Sequence, residues 1–339
     1  MKKNECIVVL CVLMLFLSAG TVFSQFKLDD LRDAADDFSA AMTKSLPFNS
    51  TLGLNWSDAY IGQFLSAPPH IGVGVSAGFT TLKLDSINKL MEYFKYEIPL
   101  NNSVGFPLLA YTLETRIGGF MLPFDIGAKF GYLNTSNMSI FDSFGVNIDY
   151  LLLGADIRFA LIDSKLLPVR LSIGAGYNYL KGGLLTTLNT GSSYNFNAPD
   201  SLGGQSYILS ISDIDLGLLW QTNVLELKAH VSFPLFIITP YTGVGASYSW
   251  AKTGYQVKSE VTINGGSPDN EIINILKNYF GVTDISGKGF ESLNEISSWN
   301  VRVYGGLSLN LTVIKLDLTL MYNTKDSAFG GTFGARFQL

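Results

Sequence analysis

The feature that most constrains the fold is alternation of apolar and polar residues along two successive arms, Leu151 to Leu161 and Val169 to Tyr179, of the stretch Ile148 to Tyr179. In the first arm Leu151, Leu153, Ala155, Ile157, Phe159 and Leu161 share one face, and Gly154, Asp156, Arg158 and Ala160 share the other. In the second, Val169, Leu171, Ile173, Ala175, Tyr177 and Tyr179 oppose Arg170, Ser172, Gly174, Gly176 and Asn178. A period of two belongs to the β-strand, whose side chains point to opposite faces in turn. Each arm alternates for about ten residues, the length a tilted strand needs to cross a bilayer. A soluble β-sandwich gives the same alternation, so the rest of the chain has to separate the two.

The N-terminus bears on that choice. Lys2 and Lys3, the apolar run Ile7 to Leu17, and Val22-Phe23-Ser24 before Gln25 read as a cleaved secretory signal over residues 1–24. Cys6 and Cys11 leave with it, so neither a disulfide nor a thiolate metal site is expected in the mature chain. Losing Lys2, Lys3 and Glu5 removes a net +1 and takes the formal charge from −5 to −6, which argues against a nucleic-acid partner. Beyond residue 24 no apolar run reaches the roughly eighteen residues of a spanning helix. An exported chain without such a helix can enter a membrane only as a closed barrel, because hydrocarbon leaves no partner for an open sheet edge. Composition agrees: 47% hydrophobic residues against 15% charged, with 34 glycines, is apolar for a soluble domain and rich in strands and turns.

The expected organisation is a signal (1–24), an N-terminal helix or plug segment (25–69) and an all-β barrel (70–339). Phe26, Leu28, Leu31, Ala34, Ala35, Phe38, Ala41 and Met42 fall at helical spacing and predict a short helix, lying on the barrel, in the periplasm or within a plug. Residues 47–69, rich in Asn, Ser, Gly and Pro, read as an ordered plug or a linker.

From His70 the strands begin. Hairpins Ala110 to Asn134, Ile148 to Tyr179 and Val224 to Trp250 align on Pro123, Pro168 and Pro240 as copies of one repeat, read as the short turns. Apolar parity slips before Leu151 and before Leu225. Each slip predicts a bulge within one long strand, the alternative being a turn at Gln221-Thr222-Asn223. Helix-like insertions at Asp85 to Tyr96 and Asn270 to Phe280, and long polar connections near 183–205 and 258–298, are expected at the opposite end from the short turns. The last arms are Trp299 to Leu311, Ile314 to Asn323 and Ala328 to Leu339. The fold class is a transmembrane antiparallel up-and-down β-barrel of about ten strands, with twelve or fourteen as alternatives.

With the apolar face toward lipid, Tyr132, Tyr177, Tyr179, Tyr248, Trp250, Trp299 and Tyr322 mark headgroup depth. The inner face then carries a charged mesh: Glu114, Arg116, Asp125, Lys129, Asp156, Arg158, Arg170, Glu226, Lys228, His230, Arg302, Lys315, Asp317 and Arg336. Unpaired ions in a narrow lumen are costly, so a structural mesh is the plain reading, and the surplus of bases suggests a mild anion preference. Phe329, Phe333, Ala335, Phe337 and Leu339 alternate to the last residue. That pattern resembles the C-terminal targeting signature of outer-membrane proteins, with Leu339 where an aromatic is usual, and implies the barrel assembly machinery and outer-membrane lipid as partners.

Leu52-Gly53-Leu54-Asn55-Trp56, Ala67-Pro68-Pro69-His70, and Val231-Ser232 leading to Thr239-Pro240-Tyr241-Thr242-Gly243-Val244-Gly245 resemble a family of uncharacterised bacterial outer-membrane barrels. The layout is also similar to long-chain fatty acid transporters, whose N-terminal segment plugs the barrel. These likenesses imply a plugged channel or transporter for a small, hydrophobic molecule. The glycines at 72–78, 174–176 and 243–245 then leave room beside the wall. Its rival is a closed structural or adhesin-like barrel with its function in the long loops. His230-Val231-Ser232 resembles the His-x-Ser element of outer-membrane lipid hydrolases. Parity places the pair on the inner face rather than toward lipid, so no enzyme is expected. His70 and His230 are the only histidines, and Asp269, Glu271, Glu291 and Glu295 follow no calcium-loop pattern, so neither cofactor nor metal is expected.

Overall fold

The computed structural model describes residues 28–61, 69–83, 105–119, 123–136, 146–163, 169–188, 192–197, 206–211, 214–258, 261–263 and 290–339. The expected signal, the helix-like insertions at 85–96 and 270–280 and the turn at Pro168 lie outside these residues. Among the described residues one helix, α1 (Leu28–Ser50), precedes thirteen strands. They are β1 (His70–Leu82), β2 (Phe106–Gly118), β3 (Phe124–Asn134), β4 (Val146–Asp163), β5 (Arg170–Leu188), β6 (Ser192–Asn197), β7 (Ser206–Ile211), β8 (Ile214–Ser232), β9 (Ile238–Lys258), β10 (Val261–Ile263), β11 (Phe290–Leu311), β12 (Ile314–Asn323) and β13 (Ala328–Gln338). Ten close into an antiparallel barrel in the order β1-β13-β12-β11-β9-β8-β5-β4-β3-β2, and β10-β7-β6 form a separate small sheet.

Closure is made by the chain ends. Ile71 and Leu339 exchange backbone hydrogen bonds at 3.2 and 2.9 Å, and β1 pairs with β13 from Gly72↔Gln338 to Thr80↔Gly330. No strand edge is left free at that seam, which is what a sheet in hydrocarbon requires. Short turns share this end with the strand termini, for example 233–237 between β8 and β9 and Thr312-Val313 between β11 and β12. It is the turn end below, and the other is the loop end.

The distribution of side chains decides between barrel and sandwich. Val75, Leu113, Leu227, Leu320 and Phe333 point outward and are more than half exposed, whereas Glu114, Arg116, Asp125, Arg158 and Arg302 are buried. A water-soluble protein places these classes the other way round. Apolar outside and charged inside is a membrane-spanning barrel.

The wall is uneven. β3, β12 and β13 run 10 to 11 residues, while β5, β8, β9 and β11 run 19 to 22. This corrects the long polar connections expected at 183–205 and 258–298. Strand continues to Leu188 and Lys258, β11 begins at Phe290, and the small sheet takes up part of the remainder. The alternation is hidden there because these tall strands carry polar residues and glycine rather than a lipid-facing stripe. Pro240 also moves: it is not in the turn but in β9, opposite Leu307, and the turn is 233–237.

The parity slips receive a different cause. β4 and β8 are each one strand, and their pairings run without a shift through Leu151 and Leu225; the only irregularity along β4 lies between Ala160 and Ile162. There is no bulge at either slip. The inner face itself turns apolar toward the loop end, where Tyr150, Leu152, Leu218 and Trp220 point inward against α1. Pattern polarity changed while strand geometry did not.

Candidate functional site: a lumen filled in two tiers

The helix runs inside the barrel, not on its surface. Ser39 Oγ donates to Thr253 O (3.1 Å) near the loop end of β9, while Ile61 N donates to Asp125 Oδ2 (2.8 Å) at the turn end of β3. The N-terminal segment therefore descends through the lumen, and residues 51–61 are all buried.

The upper tier is apolar. Met42 and Leu46 of α1 meet Leu82, Leu152 and Leu180 of the wall, with Phe38, Ala41, Phe106, Leu108, Tyr150, Leu218 and Trp220 packed around them. Below, Phe48 and Leu52 pack with Ala110, Tyr241, Tyr304, Met321 and Ala328. The helix then ends inside protein, where its last carbonyls have no water to satisfy them. Ser50 Oγ donates to Pro47 O (2.8 Å), Thr51 Oγ1 to Phe48 O (2.7 Å), and Lys129 Nζ to Ser50 O (2.7 Å) and Leu52 O (2.5 Å). A cation there also meets the negative end of the helix dipole.

The lower tier is ionic. Arg116 bridges Asp125 (2.5 Å) and Asp156 (2.7 Å); Arg158 holds the other oxygen of Asp125 (2.7 Å); Lys228 reaches Asp156 (2.5 Å). Arg302 pairs with Glu226 at 2.6 Å. The segment completes this mesh. Glu114 Oε2 accepts from Leu54 N (3.0 Å) and Trp56 Nε1 (2.6 Å), Arg158 Nη1 donates to Asp58 O (2.5 Å), and Arg302 Nη2 donates to Asn55 Oδ1 (3.0 Å). Asp58 receives Lys315 (2.7 Å) and Arg336 (3.0 Å), and Arg336 also meets Asp317 (3.3 Å). The Trp56 ring lies between the Arg116 and Arg336 guanidiniums, 5.6 and 4.7 Å from its centroid. Burial alone would raise the Asp58 carboxyl, but Lys315 and Arg336 hold it well below the usual carboxylate range.

The fourteen mesh residues thus divide plainly. Glu114, Arg116, Asp125, Lys129, Asp156, Arg158, Glu226, Lys228, Arg302, Lys315, Asp317 and Arg336 converge on one another or on the segment. Arg170 sits half-buried at the turn end of β5, paired in the ladder with Ser232. His230 is buried with Nε2 donating to Ser57 O and Nδ1 accepting from Tyr304 Oη, both at 3.1 Å. Ser232 Oγ accepts from Ala59 N at 3.1 Å. Histidine and serine are each committed to the segment, an arrangement without the base–nucleophile bond of a hydrolase.

Two sequence readings are corrected. The surplus of bases is not an anion selector, because Asp58 and the carbonyls of Ser50, Leu52 and Asp58 answer it. The glycines do not leave the lumen open either. A Cβ at Gly72 would come within 2.5 Å of the Trp56 ring, at Gly74 within 2.6 Å of Arg336, and at Gly245 within 2.7 Å of Glu226. They make space for the segment and its partners. A cavity of about 20 Å³ beside Trp56, Glu114, Asp317 and Arg336 has room for little more than a water. Among the described residues no cluster of His, Cys, Asp and Glu has the arrangement of a metal site. Asp58, Asn55, Trp56 and Ser57 were the partners the sequence reading missed; the unmatched bases were the signal for them.

No family model and no curated protein matches the chain. Among solved structures it is similar to the attachment invasion locus protein Ail of Yersinia pestis, at 12% identity over 80% of this chain and 100% of that one (TM-score 0.27). It is similar also to the outer membrane protease OmpT of Escherichia coli, at 10% over 82% and 100% (TM-score 0.35). A third is a major outer membrane protein from Thermus thermophilus, at 11% over 80% and 100% (TM-score 0.30). Overlap this loose says nothing about activity, and the chain is a barrel by its own closed strand order and outward apolar face.

Proposed function

We propose that this chain is a bacterial outer-membrane barrel for a small apolar molecule, with residues 25–69 as its gate. Placement in the outer membrane is supported by the signal-like first residues and by a closed barrel with lipid-compatible sides. The outward Phe329, Phe333 and Phe337 of β13 support recognition by the assembly machinery. The observation that carries the gate reading is the stacking of an apolar tier, occupied by Met42 and Leu46, on a layer of paired buried charges. An apolar molecule displacing α1 finds a lined chamber, while the paired charges beneath keep the membrane tight.

A second reading, a closed surface barrel, is favoured by one specific observation: β5, β8, β9 and β11 outgrow the short side of the wall and their connections build the β6-β7-β10 sheet. Planar-bilayer conductance separates the two. The full mature chain is expected to show no steady current, and a chain lacking residues 25–61 a steady pore. Asp58→Ala, which keeps the segment but unpairs Lys315 and Arg336, is expected to flicker open. A tight bilayer with all three proteins overturns the gate and leaves the surface barrel.

A further inference from the structure

The upper tier has two walls of different chemistry. On β1, β2, β4 and β5 it is apolar, with Leu82, Leu108, Leu152 and Leu180 gathered about Met42 and Leu46. At the same level β8, β9 and β11 turn hydrogen-bonding side chains inward. Leu152, Leu180 and Thr222 share one ladder row, and Trp220 of the neighbouring row pairs with Thr253, which pairs in turn with Asn294. Trp220 and Thr222 are two residues apart on β8 and so share a face. The Trp220 ring joins the two walls: it packs at the edge of the apolar cluster and lies over Gly182 of β5, where a Cβ would come within 2.8 Å of it.

Four groups on this wall have no hydrogen-bond partner within the protein: Trp220 Nε1, Thr222 Oγ1, Thr253 Oγ1 and Asn294 Nδ2. Thr222 and Thr253 have no exposed surface at all. α1 lies against β8, β9 and β11 without answering them. Ser39 Oγ donates to the Thr253 carbonyl rather than meeting its hydroxyl, and Thr43 Oγ1 turns back to Ser39 O at 2.8 Å. Buried polar groups are normally paired, because an unmatched one has given up water for nothing. Four on one face of a lumen call for a partner that is not the helix.

Their chemistry is narrow. An indole N–H and an amide N–H₂ only donate, and a threonine hydroxyl donates or accepts, so the set fits oxygen atoms. A carboxylate here would be buried without a cation. Lys181 and Lys252, next in sequence to Leu180 and Thr253, are exposed on the outer face, while Lys228 and Arg302 belong to the lower tier on Asp156 and Glu226. Lys44 of α1 is exposed and near Asp326, between β12 and β13. Asp36 and Asp37, within one turn of Ser39, would repel an anion. Trp220 to Asn294 spans two strand spacings, about 10 Å, which one hydroxyl cannot cover and a glycerol ester, with oxygens spread over several bonds, can.

We infer that Trp220, Thr222, Thr253 and Asn294 form a head-group subsite for a neutral amphiphile carrying several oxygens, of the monoacylglycerol class. The inference rests on the apolar-chamber reading above and names its ligand. The tail takes the place of Met42 and Leu46 against Leu152 and Leu180, and the head meets the four groups that α1 leaves unmatched.

The test uses the full mature chain in phosphatidylcholine nanodiscs and two photoreactive probes, a monodecanoylglycerol with its diazirine beside the ester and a decane, with adducts mapped by mass spectrometry. The glycerol ester is expected to label Trp220, Thr253 or Asn294 saturably, and to be displaced at severalfold lower concentration by unlabelled monodecanoylglycerol than by decanoate. Decane is expected to label Leu152 and Leu180. Thr253→Val and Asn294→Leu are each expected to weaken the glycerol ester severalfold and leave decane labelling unchanged. Because each removes an unmatched polar group, neither lowers the melting temperature. Decanoate displacing as well as the glycerol ester, or ester labelling that ignores both variants, overturns the head site and leaves the chamber. A lower melting temperature in both variants assigns these groups to the packing of the wall and overturns it as well. Adducts of both probes confined to outward Val75 and Leu113 overturn the chamber itself.

Discussion

Two halves of the same N-terminal segment are held in opposite ways. From Phe38 to Asn49 the contact is an apolar helix face against an apolar wall, non-directional and tolerant of sliding. From Ser50 to Ile61 it is a set of directed bonds, most of them with a charged wall residue at the other end. The difference teaches that filling a lumen and sealing it are separate tasks. Apolar packing is regained by any molecule of similar shape, so the upper tier can exchange its occupant. Buried charges cannot lose one partner cheaply, so the lower tier stays shut.

The largest expected effect comes from breaking the lower tier at its hub. Asp125→Ala leaves Arg158 without a carboxylate, Arg116 with Asp156 alone and the Ile61 amide without its acceptor, and is expected to cost about 3–5 kcal/mol, read from the temperature at which the compact band in unboiled gels is lost. A cost near that of an exposed surface pair would make the two tiers alike. In the upper tier, Leu152→Ala opens space against Met42 and Leu46, with about 2–3 kcal/mol lost. Limited proteolysis is expected to cut α1 first in that variant and leave the wall whole. Lys129→Met tests the junction: it removes the cation from the Ser50 and Leu52 carbonyls, and unfolding in detergent is expected to reveal a loss of about 1–2 kcal/mol.

The pH dependence is the finest of these tests. Asp58 is held charged, with its folded pKa below the ordinary value, so its contribution is complete above about pH 4 and declines as pH falls through the folded value. The difference in melting temperature between the native protein and Asp58→Asn should be flat from neutral pH down to that point and shrink below it. Asp58→Asn should remove part of the acid drop. An equal drop in both proteins assigns acid sensitivity elsewhere.

Much of the wall was legible because period two is enforced by lipid on one side and ion pairs on the other. Asp125, Arg158 and Arg302 stand on the inner face for the same reason that Phe333 and Leu320 stand outside. What escaped was whatever the segment imposes. Leu152, Leu180 and Val224 are apolar yet point inward, so parity alone suggested bulges. The position of Asp58 in a stretch without period gave no hint of the two bases it meets.

Backbone hydrogen exchange of the protein in detergent micelles tests the contrast between the tiers most directly. The amides of Leu54, Ala59 and Ile61, each bonded to a wall side chain, are predicted to exchange as slowly as the strands around them, and the helix amides between Phe38 and Leu46 faster. Residues 51–61 exchanging rapidly while the wall remains protected would contradict a locked lower tier.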